Sequence, residues 1–197
     1  MPRKKSGRHA AQNFKQAIAR IEAFAGEIDN SGLGDQAVSW AYEAALIKTT
    51  VEFERLMLDC IVTAINNDTA TISARTGIIF PKHLTDEVCE YIVTGGAFFD
   101  FKGRDGLIRK IKGYVPDSHW LLQAVKQPKY KDPLERMIAL RNFAAHESPA
   151  SKRKALDAVG QKRMGSAGSW IKCQGRFLNL AKALTSLANE IEMNAPY

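Results

Sequence analysis

The sequence has few cysteines and no long apolar run. Only three of its 197 residues are cysteine, and Cys60, Cys89 and Cys173 lie far apart. An odd, scattered set of this kind argues against a disulfide framework or a zinc site and favours a reducing compartment, so we expect a cytoplasmic protein. No stretch approaches the roughly 18–20 apolar residues of a membrane span, and no apolar segment follows the basic N-terminus as in a secretory signal.

Several familiar motifs are also missing. The sequence contains no Gly-x-x-x-x-Gly-Lys-Ser/Thr, no Gly-x-Ser-x-Gly and no paired Cys-x-x-Cys. These absences exclude the common nucleotide-hydrolase, serine-hydrolase and zinc-ribbon interpretations. Residues Gly103 to Gly106 resemble the Gly-x-x-Gly loop with which KH domains clamp RNA, but a KH fold needs several flanking strands and the sequence predicts at most one.

Acidic residues are scarce in the second half of the chain. The formal charge of +7 divides into +4 for residues 1–9, −7 for 10–101, +12 for 102–182 and −2 for 183–197. A basic half of this size is suited to a polyanionic partner. The alternative is an ordinary solvated face, and charge alone does not separate the two.

Apolar residues recur at helical spacing along most of the chain. We predict an all-α fold, a helical bundle of long antiparallel helices with short helices between them. Residues 1–11 are predicted to form a flexible basic arm, and 12–197 a single domain. Loops are predicted at 69–82 and 161–174, with a brief extended piece at 97–101. The predicted helices are 12–28, 35–66, 85–93, 105–113, 117–126, 132–148, 150–159 and 176–194.

The helix predicted from residue 132 has the clearest start. Asp132 is the expected N-cap, Pro133 follows at the first helical position, and Glu135 completes a capping-box pattern. Near its C-terminal end, Asn142 and His146 are four residues apart and share a face. Arg141 lies about 140° around the helix from His146, so the two would flank one crevice.

These residue types suit phosphodiester chemistry that needs no metal or other cofactor. A histidine can take a proton from a ribose 2′-hydroxyl or give one to a leaving oxygen near neutral pH. An arginine is a permanent forked donor for a phosphate whose charge grows in the transition state, and Asn142 could orient either group. The structural alternative is a helix end at which His146 caps carbonyls and Arg141 pairs with an acid.

The sequence Leu140 to Ser148, with Glu52 to Arg55 on a long upstream helix, resembles the HEPN superfamily over about residues 36–190. The resemblance implies an all-α, metal-independent endoribonuclease with an Arg-x4-6-His motif. In that family two protomers commonly form one composite cleft, and many members act in toxin–antitoxin, phage-defence or CRISPR-associated systems.

The same resemblance implies roles for individual residues. Arg141 and His146 would be catalytic and Asn142 would assist them. An acidic residue on the upstream helix often accompanies the motif, and Glu52 and Glu54 are both candidates.

Basic residues lie before and after the motif. We expect them to frame the site and to follow an RNA backbone, although a solvated face is the alternative. The predicted RNA-binding residues are Lys126, Lys129, Lys131, Lys152, Arg153 and Lys154.

Three functional hypotheses follow. The first is a homodimeric HEPN-type endoribonuclease, whose RNA substrate supplies the 2′-hydroxyl nucleophile. The second is a non-catalytic HEPN-like module that binds RNA, a nucleotide or a protein partner. The third is a helical dimerisation protein whose basic half meets an acidic protein such as an antitoxin. None of the three involves a membrane.

Overall fold

The chain is an all-α helical bundle. The computed structural model describes residues 5–196, and this range contains ten α-helices and no strand. Short 3-10 turns at Pro128–Tyr130 and Cys173–Gly175 precede two of the helices. The helices are α1 Gly7–Asp29, α2 Asp35–Asn67, α3 Ala70–Thr76, α4 Asp86–Thr94, α5 Gly103–Lys112, α6 Trp120–Lys126, α7 Lys131–His146, α8 Pro149–Val159, α9 Ala167–Ile171 and α10 Arg176–Asn194.

The helices form two compact units, each built from separate stretches of chain. Unit 1 contains residues 5–14, 53–127 and 187–196. Unit 2 contains residues 15–52 and 128–186. Helices α1, α2 and α10 therefore contribute to both units, whereas the three predicted residues of the α7 motif belong to unit 2 alone.

The core of unit 2 is anchored by an aromatic side chain on α2. The buried Tyr42 ring meets Phe177 of α10 edge-on at 5.7 Å between centroids, a favourable geometry for two aromatic rings. The Tyr42 hydroxyl donates to the Asp29 carboxylate at 2.8 Å. Burial, with this hydrogen bond, raises the pKa of Tyr42 to about 12. The last residue of α1 is thereby tied to the side of α2.

Helix α9 comes unusually close to α2 in the same unit. Gly168 is buried, and a Cβ added there would overlap the Ser39 carbonyl oxygen and lie 2.7 Å from its carbonyl carbon. The Gly168 N–H donates to the buried Glu43 carboxylate at 2.9 Å. Helix α7 packs against α8 and α9, so this contact supports the helix that carries the motif.

The core of unit 1 is centred on Phe53. Its ring meets Phe14 of α1 at 6.0 Å and Phe101 at 6.1 Å, edge-on in both cases. Cys60 lies on α2, seven residues after Phe53, and is fully buried. This burial raises the pKa of its thiol. None of the three cysteines forms a disulfide within the described chain, which agrees with the expectation from their spacing.

The long helices confirm the predictions made from apolar periodicity, since α1, α2 and α10 include the predicted spans. The prediction of a flexible basic arm over residues 1–11 is wrong from Gly7 onward, where α1 begins. Residues 1–4 lie outside the described residues, but α1 already begins at Gly7, because Ala10 and Ala11 extend its buried stripe. The Lys5 ammonium also binds the Asp59 carboxylate at 2.6 Å.

Two shorter segments predicted as loop also contain helix. Within 69–82, α3 forms because Ile72 is buried, and it ends at Gly77 with a left-handed φ of 72°. Within 161–174, α9 forms with Ser166 as its N-cap. Residues 97–101, predicted as an extended piece, form neither helix nor strand.

The predicted cap of α7 is wrong. The N-cap position is Tyr130, with no side-chain cap bond, because the 3-10 turn that it closes leads directly into the helix at Lys131. Asp132 instead lies in the first turn, where its negative charge interacts favourably with the positive end of the helix dipole. It also forms an ion pair with Arg136 at 3.6 Å. Pro133 is accommodated in this turn because its missing N–H has no intrahelical acceptor there.

Candidate functional site

The last turns of α7 bring the three motif residues onto one rigid element. The buried side of the helix is apolar and includes Leu140 and Phe143. Arg141 and Asn142 are half-buried, whereas His146, the final helical residue, is exposed. The helix therefore holds the arginine at the protein surface and presents the histidine to solvent.

Arg141 is positioned by its neighbour in the sequence. Its Nη1 donates to Asn142 Oδ1 at 3.1 Å. Its Nε is buried and finds no hydrogen-bond partner among residues 5–196. No carboxylate in that range forms an ion pair with Arg141, so pairing with an acid, as the structural alternative required, does not occur within the described chain. The guanidinium keeps donors available for an anion.

His146 is not the group that caps α7. The Glu147 N–H donates to the Phe143 carbonyl at 2.9 Å, and Glu147 adopts a left-handed φ of 45°. This backbone cap closes the helix without the imidazole. The second part of the structural alternative, carbonyl capping by His146, is therefore performed by another residue.

The turn after α7 leads directly into α8, which carries the next three basic residues. Ser148 caps α8 by accepting from the Ser151 N–H at 3.1 Å, and Ser151 donates back in a reciprocal capping box. Lys152 lies with its ammonium 5.9 Å from the Phe143 ring centroid, which is within reach of a cation–π contact. Arg153 and Lys154 follow on the exposed side of α8. These three predicted RNA-binding residues are thus near the C-terminal end of α7.

Two of the other predicted basic residues, which belong to unit 2, are not brought to that end. Lys131 is the first residue of α7, roughly 22 Å along the helix axis from His146. Lys129 lies before it, with its ammonium 4.9 Å from the Tyr130 ring centroid. Lys126 ends α6 and belongs to unit 1.

The two acidic candidates have different surroundings. Glu52 belongs to unit 2, is largely buried and forms an ion pair with Lys48 at 2.8 Å. Glu54 is half-buried and belongs to unit 1. Two residues of one helix separated by two positions point about 200° apart, so Glu52 and Glu54 cannot serve the same site.

Glu52 lines an open cleft between α1 and α2 that the sequence did not predict. The cleft has a volume of about 350 Å³, with Ala17, Ile21, Ala44 and Ala45 as its small and apolar walls. Three further residues also line it, Arg20, Lys48 and the partly exposed Phe24. A faint signal was present in the sequence, since Arg20 and Phe24 are four positions apart and therefore lie on one face of α1.

Comparison with known protein families, characterised proteins and solved structures finds no match to this chain. Within residues 5–196, no group of three or more His, Cys, Asp or Glu side chains could hold a metal ion. In the same range, no helix combines the length and the apolar character needed to cross a membrane.

Proposed function

We propose that this chain is a metal-independent endoribonuclease of the HEPN type. The observation that carries the proposal is the state of the motif residues at the end of α7. Arg141 is held by Asn142 with no carboxylate partner among the described residues, and His146, at the end of the same helix, is exposed. A structural ion pair or helix cap would have used these groups, whereas a phosphodiester site needs them accessible.

The chemistry follows from the two side chains. His146 would remove the proton of a ribose 2′-hydroxyl, whose oxygen then attacks the adjacent phosphorus and displaces the 5′-oxygen of the next nucleotide. A protonated histidine would give its proton to that leaving oxygen. Arg141 would bind the phosphoryl oxygens as their negative charge grows, with Asn142 as a positioning residue. The products are a 2′,3′-cyclic phosphate and a 5′-hydroxyl.

The cleavage step needs a general base and a general acid at the same time, and two histidines can fill these roles better than one. We therefore propose a homodimer in which both protomers supply their motif to one cleft, as the resemblance implies. Lys152, Arg153 and Lys154 would then bind the flanking phosphates of the RNA strand. A cellular role as a toxin or phage-defence effector, with an acidic antitoxin as partner, belongs to the same proposal.

The test is cleavage of end-labelled single-stranded RNA in EDTA. We expect the wild type to produce fragments with cyclic-phosphate ends and His146→Ala to lose this activity by at least about 100-fold, the usual contribution of a general acid–base group. His9→Ala is the matched control, because His9 is exposed on α1. A DNA strand of the same sequence should remain intact. Equal cleavage by wild type and His146→Ala would refute the site.

One observation favours a second candidate, a non-catalytic module that binds RNA, a nucleotide or a protein partner. Glu52 is in an ion pair with Lys48 and lines the α1–α2 cleft together with Arg20 and Phe24. The Arg20 cation, the Phe24 ring and the apolar walls suit a ligand with both phosphate and base. RNA binding without turnover by the wild type, unchanged in His146→Ala, would select this candidate.

A further inference from the structure

A second cleft, in unit 1, is lined almost entirely by cations. It has a volume of about 500 Å³ and lies between the C-terminal ends of α3 and α5. Its charged residues are Arg75, Arg109, Lys110 and Lys112, and Gly113 and Tyr114 complete the lining. No acidic side chain lines it.

Most of this positive charge is not neutralised within the described chain. Lys112 forms an ion pair with Asp117 at 3.0 Å. Arg75 and Lys110 instead donate to main-chain carbonyls, those of Gly113 at 3.1 Å and Asp100 at 3.0 Å, which leaves their charges uncompensated. Arg109 is exposed and has no carboxylate partner in residues 5–196. The residues that line the cleft, together with Asp117, therefore carry a net charge of +3 within the described chain.

The Arg75 guanidinium is held in place by contacts with Gly113 and Tyr114. It lies 5.8 Å from the Tyr114 ring centroid, within cation–π distance. A Cβ added at Gly113 would overlap Arg75 Nη1, so the absence of a side chain at this position makes room for the guanidinium. Gly113 has φ −68° and ψ −16°, which any residue adopts, so the backbone conformation itself does not require glycine. An added Cβ would therefore displace the guanidinium, which is the far end of an exposed side chain.

We propose that the α3–α5 cleft binds the phosphate backbone of a single RNA strand. The cations come from α3 and α5 and line one open cleft, and a positively charged groove is the feature with which proteins follow the backbone of a single strand. Tyr114 is half-buried beside them. Binding of this kind is independent of sequence and depends strongly on salt. The inference concerns binding in unit 1 and stands whether or not α7 cleaves RNA.

The test is the salt dependence of RNA binding by Arg75→Gln/Arg109→Gln, measured by fluorescence anisotropy with a labelled uridine homopolymer. All proteins also carry His146→Ala, so that cleavage cannot remove the probe. Each phosphate contact in a single strand contributes a slope of about 0.7 to log K against log salt. Losing two contacts should lower the slope by about 1.4, which corresponds to about 25-fold weaker binding at 0.1 M salt.

The matched control is Lys82→Gln/Lys182→Gln, which removes the same charge from exposed residues outside the cleft. It should weaken binding by less than about two-fold, because neither residue lines the cleft and exposed charges that do not contact the strand are screened by salt. Gly113→Ala should lower the affinity while leaving the net charge unchanged. If the Arg75→Gln/Arg109→Gln protein does not remain folded by circular dichroism, Arg109→Gln alone, at an exposed position, should show half of the slope change.

Two results would overturn the proposal. One is an equal slope for the cleft variant and the control, which would remove the cleft from RNA binding. The other is displacement of the RNA by ATP or pyrophosphate at an equal phosphate concentration, which would identify a free-nucleotide site. Neither result depends on cleavage, so failure here is distinguishable from failure of the proposed ribonuclease activity.

Discussion

Gly168→Ala should destabilise the protein although alanine is the better helix former. Gly168 lies in α9 against α2, and an added Cβ would be 2.7 Å from the Ser39 carbonyl carbon and 2.9 Å from Glu43 Cγ. Main-chain atoms cannot rotate away as a side chain can, so α9 would have to move from α2. That movement would also lengthen the hydrogen bond from the Gly168 N–H to Glu43.

The expected magnitude combines two opposing effects. Overpacking a buried site costs about 1–3 kcal/mol, and contact with main chain places Gly168→Ala at about 3 kcal/mol. The higher helix propensity of alanine returns at most about 1 kcal/mol. The net loss in the free energy of unfolding is then about 2 kcal/mol, which for a chain of this size corresponds to a Tm lowered by about 4–8 °C.

Urea and thermal denaturation followed by circular dichroism measure this loss. Gly26→Ala is the matched control, because Gly26 lies within α1 and a Cβ there would meet no atom within 4 Å. The same substitution should stabilise the protein at that position by up to about 1 kcal/mol. Gly168→Ala with stability equal to or above that of the wild type would refute the close approach of α9 to α2.

Two further predictions concern buried polar groups on α2. Glu43→Ala leaves the Gly168 N–H without its acceptor and should lower the free energy of unfolding by about 1–3 kcal/mol. Glu43→Gln keeps an acceptor oxygen and should lower it by less. Urea denaturation of both variants measures the difference. The second prediction concerns Tyr42, whose pKa is raised to about 12 from the ordinary value of 10.0. The neutral Tyr42 hydroxyl therefore stabilises the fold fully below pH 10, and this stabilisation is lost as the pH rises through 12. The difference in ultraviolet absorbance between wild type and Tyr42→Phe should show that late ionisation, and a transition near pH 10 would contradict the contact with Asp29.

The fold was predictable where an apolar pattern extends over several turns. α1, α2 and α10 are 23, 33 and 19 residues long, and each repeats its buried positions often enough to be recognised. α3 and α9 have only 7 and 5 residues. Too few positions repeat in helices of that length, and contacts with the rest of the unit determine whether they form.

The motif was predictable in part, because its spacing is local. Arg141, Asn142 and His146 lie on one helix, as the sequence predicted, and the bond from Arg141 to Asn142 joins neighbours. The surroundings of Glu52 depend on which helix faces α2, and the sequence carries no such information. The α3–α5 cleft is a similar case, since 33 residues separate Arg75 from Arg109 and no local pattern relates them.

The interrupted course of the chain through unit 1 has a consequence for biosynthesis. This unit includes residues 5–14 and 187–196, and the Arg8 side chain donates to the Ala195 carbonyl at 2.7 Å. Its first helical turns are translated long before their packing partners exist, so their apolar side chains remain exposed on the ribosome meanwhile. Such nascent chains are prone to aggregate and are natural clients for chaperones.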